Sequence, residues 1–91
     1  MTDQARIIRC DDLLEADVNG EIVALHVEKG QCYGMNAVAS RVWTLLAQPV
    51  APGEICARLA EEFNVDPETC RADVQALLAD LKSEGLVRTA D

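Results

Sequence analysis

Residues 13–27 read LLEADVNGEIVALHV, and this stretch decides the fold. Asn19-Gly20 sits between two apolar segments. Both central positions of a two-residue hairpin turn need positive φ, which Asn and Gly tolerate, so the dipeptide predicts a tight β-hairpin. Its arms are 13–18 and 21–27. In the second arm Val23, Leu25 and Val27 share one face while Ile22, Ala24 and His26 share the other, and both faces are fairly apolar.

Toward the C-terminus, Glu28-Lys29-Gly30 predicts a second turn and residues 31–35 a third, short strand, which completes a meander. Asn36 then stands where a helix N-cap belongs, ahead of a helix over 37–47. Val38, Val42, Leu45 and Leu46 form its apolar face, Trp43 flanks that face, and Ser40, Arg41 and Thr44 point outward; Gln48-Pro49 ends it. Pro52 opens a second helix, with Ile55, Leu59 and Phe63 at spacings of four and Cys56 and Ala60 widening the stripe. Asp66-Pro67-Glu68 is a third helix start: a side-chain cap, a proline where a missing N–H costs nothing, and a carboxylate at the positive end of the dipole. That helix extends to about Ser83 on a stripe of Cys70, Val74, Leu77, Leu78 and Leu81. Gly85 stops it, and Leu86-Val87 should fold back onto the core as a short strand or latch.

Toward the N-terminus, residues 1–11 read as a loose lead-in with a short strand at 7–10, and residues 12–88 as one domain. Strands precede helices (β-β-β-α-α-α), which argues an α+β, winged-helix-like architecture: a three-stranded antiparallel sheet followed by three helices. No internal repeat, low-complexity segment or linker interrupts it. With 91 residues there is room for one core. Only one Trp, one Tyr and one Phe are present, so that core rests on Leu, Val, Ile and Ala.

Composition narrows the function. Sixteen acidic residues against eight basic ones give a net charge of −8. Residues 1–50 carry 4 basic and 7 acidic groups, and residues 51–91 carry 4 and 9, so no basic patch can be assembled in sequence. A nucleic acid or an anionic membrane would meet repulsion. The third helix carries Arg71 and Lys82 against Glu68, Asp73 and Asp80, the wrong sign for a recognition helix. No apolar run reaches membrane-spanning length and no signal-peptide pattern opens the chain, so a cytoplasmic location is the default expectation. Four cysteines, at 10, 32, 56 and 70, make no CxxC pair, which argues for reduced, mostly buried thiols rather than a zinc site, with Cys10 the most exposed.

Chemistry is sparse. The single histidine, His26, lies mid-strand among apolar neighbours with no nucleophile nearby in sequence. Glu61-Glu62 and the Asp80, Glu84 pair read as solvated helix faces, and no glycine-rich phosphate loop exists. What the pattern does offer is an edge. The strand 31–35 ends its meander, so one side of its backbone is a template for another chain. Tyr33 on it is an amphipathic anchor, and the third helix alongside would leave a groove.

Cys32-Tyr33-Gly34-Met35-Asn36, then Ala39-Ser40-Arg41-Val42-Trp43-Thr44-Leu45-Leu46, then Glu54-Ile55, Leu59 to Phe63, Asp66-Pro67-Glu68, Asp73-Val74, Leu77-Leu78, Leu81 and Gly85-Leu86-Val87 together resemble the PqqD-like family. These are the precursor-peptide recognition elements of ribosomally made, modified peptides. The resemblance covers about residues 12–88. It implies a protein with no catalytic residue, cofactor or metal that binds a precursor's leader segment as an extra antiparallel strand. The ladder would come from Gln31, Cys32, Tyr33, Gly34 and Met35, and the groove wall from Arg71, Val74, Gln75 and Leu78, with Asn36 capping the first helix and Trp43 packed within the domain. The Tyr-Gly-Met-Asn and Arg-Val-Trp patterns are most similar to the stand-alone recognition proteins of lasso-peptide pathways. In those the partner is a leader peptidase and a macrolactam-forming cyclase acts afterwards. A more aromatic second strand marks the quinone-cofactor branch, and residues 22–27 have no aromatic. A radical-enzyme or quinone-cofactor pathway, a DNA-binding winged-helix regulator, and a homodimer pairing through the same edge stay as alternatives.

Overall fold

A computed structural model describes residues 5–11 and 13–90. The elements are β1 (Ile7–Arg9), β2 (Leu13–Val18), β3 (Glu21–His26), β4 (Gln31–Gly34), α1 (Ala37–Leu45), α2 (Pro52–Glu62), α3 (Pro67–Ser83) and β5 (Val87–Thr89). Strands β2, β3 and β4 form an antiparallel sheet in that order, and β1 pairs antiparallel with β5 in a separate two-stranded ribbon. The α+β, winged-helix-like architecture read from the sequence is the one the chain adopts, with the C-terminal latch realised as β5.

The turns behave as their residues dictate. Asn19 and Gly20 take φ of 57° and 87°, the positive pair a two-residue hairpin requires. Gly85 takes φ of 77° and closes α3: its N–H donates to the Lys82 carbonyl at 3.0 Å, and the Leu86 N–H donates to the Leu81 carbonyl at 2.9 Å. This Schellman arrangement brings Leu86 onto Leu81, and both are buried. The Asn36 and Asp66 side chains accept from the N–H groups of Ala39 and Thr69, as N-caps should.

One core lies between the helices and the inner face of the β2–β3–β4 sheet, built from Ile22, Ala24, Met35, Val42, Trp43, Leu46, Ile55, Leu59, Val74, Leu78, Leu81 and Leu86 among others. Several local expectations need correction. Trp43, which periodicity places at the flank of the apolar face and the resemblance places within the domain, is among the largest core members, 1% exposed, with its indole N–H donating to Glu15 at 3.2 Å. Val38, expected on the apolar face of α1, is exposed, as is Ala60 on α2. Helix α1 stops at Leu45, short of Ala47, and β3 stops at His26, leaving Val27 in the turn. Phe63 is the C-cap of α2 rather than part of it.

Ser40 is the most instructive correction. Expected outside, it is 4% exposed. Its hydroxyl accepts from the Ile22 N–H at 2.8 Å and donates to the Met35 carbonyl at 3.2 Å. The hydroxyl therefore stands in for a rung of the β3–β4 ladder and ties the end of β4 to α1. A buried N–H and a buried carbonyl are satisfied by one side chain.

Candidate functional site: the β4 edge and its groove

Strand β4 is an edge strand. Its register pairs Tyr33 with Ala24 and Cys32 with Leu25. Just past the strand, the Met35 N–H donates to the Ile22 carbonyl at 2.9 Å. Narrow and wide pairs alternate along an antiparallel ladder, so Met35 and Tyr33 turn their backbone groups toward β3, whereas Gly34 and Cys32 turn theirs outward. Two N–H groups and two carbonyls thus face away from the sheet, spaced to receive an added strand. Gly34 suits this position: a Cβ there would meet nothing within 4 Å, and its backbone is not in the left-handed region.

Beside this edge stands α3. The Tyr33 ring lies on the inner face of β4, half-buried, and its phenol pKa is raised above 10.0, first by burial and then by the carboxylates of Asp80 and Glu84. Those two carboxylates therefore mark the helix face nearest β4. Asp73, Leu77, Asp80 and Glu84 follow one another at spacings of four, three and four, a single stripe. Leu77, Asp73 and Asp80 line an open cavity of about 430 Å³ with Val38, Ala39 and Val65. This trench, between α1 and α3 just past the end of β4, has an apolar floor and an acidic helix wall.

The residues expected at the site divide. Gln31, Cys32, Tyr33 and Gly34 form β4; Met35 lies one residue beyond it, 4% exposed, and belongs to the core. Val74 and Leu78 are buried in that core as well. Gln75 lines a different cavity, of about 320 Å³, with Ile7, Pro52, Lys82 and Val87, and Arg71 lies one turn earlier on that flank of α3. Arg71 and Gln75 thus share a flank of α3 opposite the stripe of Asp73, Asp80 and Glu84. The apolar stripe of α3 is broad, and hydropathy alone does not say which of its polar borders faces the sheet. The acidic border, Asp73, Asp80 and Glu84, was legible only as a solvated face.

Among the described residues no group of three His, Cys, Asp or Glu side chains is placed to hold a metal ion. His26 points inward from β3 with its Nδ1 buried and without a hydrogen-bond partner. Cys32, not Cys10, is the exposed thiol: it stands on the outer face of β4, while Cys10 and Cys56 are half-buried and Cys70 is buried.

Comparison with known proteins agrees with this geometry. Residues 21–87 match the family model described as coenzyme PQQ synthesis protein D (PqqD). The chain belongs to the PqqD family. Its fold is similar to that of TbiB1, solved in complex with the TbiA(beta) leader peptide, at 33% identity and a TM-score of 0.82, over 92% of this chain and 99% of that one. It is also similar to a lasso peptide synthetase B1 complexed with the leader peptide, at 21% identity and a TM-score of 0.79, over 90% and 96% of the two chains; that likeness concerns the fold. No curated protein sequence matches the chain. This PqqD-family chain is a recognition element similar to those of lasso-peptide pathways. No helix among its described residues is long and apolar enough to cross a membrane.

Proposed function

We propose that this PqqD-family protein binds the leader segment of a ribosomally made precursor peptide, without catalysis, and presents it to a leader peptidase or other modifying enzyme. The pathway is one of lasso-peptide type, and the step is cytoplasmic. The observation that carries the reading is the uncharged, outward-facing backbone of Cys32 and Gly34 on the open β4 edge. The likeness to TbiB1, whose structure contains a leader peptide, supports it.

Main-chain hydrogen bonds from β4 supply the affinity that is independent of sequence, and the trench supplies selectivity. Tyr33 and Leu77 offer apolar contact for an aromatic or aliphatic leader side chain. Asp73, Asp80 and Glu84 favour a lysine or arginine on the same strand, tuning association rate and register more than affinity. Holding the leader beside an enzyme raises the local concentration of the segment to be cut or modified.

Isothermal titration calorimetry with synthetic leader peptides, the TbiA(beta) leader among them, each against a scrambled control, tests the proposal. Saturable binding to one leader, lost in its scramble, is the expected result. Equal heats from leader and scramble across the set would overturn it.

A further inference from the structure

Charge is unevenly spread over the chain. Residues 5–10 and 86–90, which hold the β1–β5 ribbon, carry Arg6, Arg9 and Arg88 and no Asp or Glu, in a chain with sixteen acidic residues. The border of α3 opposite Asp73, Asp80 and Glu84 carries Arg71 and Lys82, about 16 Å apart at 1.5 Å per residue, with Gln75 between them. Glu68 stands at the far end of this border, about 21 Å from Lys82 on the same rise. That is well beyond the ~8 Å over which exposed charges act in physiological salt. Ribbon and border together make a positive surface on a protein of net charge −8.

Between them lies an open cavity of about 320 Å³. Its walls are apolar: Ile7 from β1, Val87 from β5, Pro52 from the start of α2 and Ala79 from α3. Gln75 and Lys82, both exposed, stand at its rim. The volume falls at the lower end of the ~300–1,000 Å³ range of ligand clefts, room for one large apolar side chain. Strand β5 has three residues with an arginine in the middle, a guarded edge, so an occupant here is held by side chains and not by strand addition. A second copy would bring like charge to the contact. A nucleic acid would match the charge but leave the apolar walls unused and face the acidic border of α3.

We propose that this cavity is a second docking site, separate from the β4 edge, for a protein partner in which one large apolar side chain is flanked by carboxylates. The apolar side chain enters between Ile7, Val87 and Ala79, and the carboxylates meet Arg71 on one side and Lys82 on the other. The positive surface steers such a partner to this side of an otherwise acidic protein. The site lies on the opposite border of α3 from Asp80 and Glu84, so a leader on β4 and a partner here can be held at once. The proposal does not depend on the leader-binding reading.

Amide NMR titration of the full chain tests it, with acetyl-Glu-Glu-Leu-Glu-Glu-amide as the probe. Its controls are the same peptide with serine for leucine, the same peptide with lysine for glutamate, and a random-sequence DNA duplex. The expected result is saturable shifts at Ala79, Lys82 and Val87 from the probe, with the serine peptide at least about tenfold weaker. The double variant Arg71→Glu, Lys82→Glu should weaken the probe at least about fivefold. Ala79→Phe, which fills the cavity from an exposed position, should abolish its shifts. If the charge variant melts early, the leucine and serine peptides on wild type decide alone. Equal affinity for those two peptides, equal shifts at the same amides from the lysine peptide, or no saturable shift there from the probe would overturn the proposal. A duplex that shifts these amides at lower concentration than the probe would assign the positive surface to nucleic acid and overturn it too.

Discussion

The two edges of the sheet, β2 and β4, differ in what guards them. Strand β2 points Glu15 and Asp17 inward, and Glu15 is engaged by Arg9 and by the Trp43 indole, with the Arg9 guanidinium 5.2 Å above that ring. Inward charges are a common device against edge-to-edge pairing. Strand β4 has no such device: Gln31, Cys32, Tyr33 and Gly34 bring neither charge nor proline. An edge that folding leaves open is an edge kept for a partner. The same sheet thus excludes strands at one side and invites one at the other.

The largest effect should follow from closing the open edge. Gly34→Pro removes an outward N–H but no rung toward β3, and proline is tolerated on an edge strand. Leader affinity should fall about tenfold to a hundredfold, read by calorimetry, with little change in melting temperature. Unchanged affinity in the folded variant would mean that the leader adds elsewhere. Next comes the link that holds β4 in place. Ser40→Ala orphans the buried Ile22 N–H and Met35 carbonyl, and should cost about 1–2 kcal/mol in urea unfolding and weaken leader binding along with it. A variant that loses stability but not affinity would separate the anchor from the site. Asn36→Ala removes the α1 cap immediately after β4 and should cost about 1 kcal/mol, with a smaller effect on affinity.

The smallest effect is electrostatic. Ultraviolet titration should find the Tyr33 phenol ionising above its ordinary 10.0, and Asp80→Asn should lower that midpoint because burial is the larger cause and the carboxylate the lesser. The raised value means that the folded state holds the phenol proton more tightly than the unfolded chain does. The corresponding stability is fully present below pH 10.0 and is lost as pH rises through the higher, folded midpoint. A midpoint indifferent to Asp80→Asn would place the acidic wall of α3 away from β4.

The sequence made the architecture legible because its punctuation is local: Asn19-Gly20, Asn36, Asp66-Pro67 and Gly85 each dictate a backbone conformation by themselves. The open edge could be read from strand order and lack of charge. The groove wall could not. Which flank of α3 meets β4 depends on the rotation of a helix whose apolar stripe, from Cys70 to Leu81, is wide enough to seat in two ways; Asp73, Leu77 and Asp80 line one cavity along it and Gln75 another. Ser40 was misplaced for a related reason. A serine in a helix is ordinarily solvated, and only the tertiary approach of β3 gives its hydroxyl a buried donor and acceptor. The burial of Met35 is likewise a matter of which elements meet, not of periodicity, and the core place of Trp43 was legible from the resemblance rather than from helical spacing.

The most direct test is amide hydrogen exchange, followed residue by residue, with and without a leader peptide that binds. The Cys32 and Gly34 N–H groups face outward in the free protein and should exchange quickly there. Leader binding should slow them selectively, while the Tyr33 N–H, already turned toward β3, changes little. Protection that appears along 13–18 instead, or that spares Cys32 and Gly34 at saturating leader, would contradict strand addition at β4.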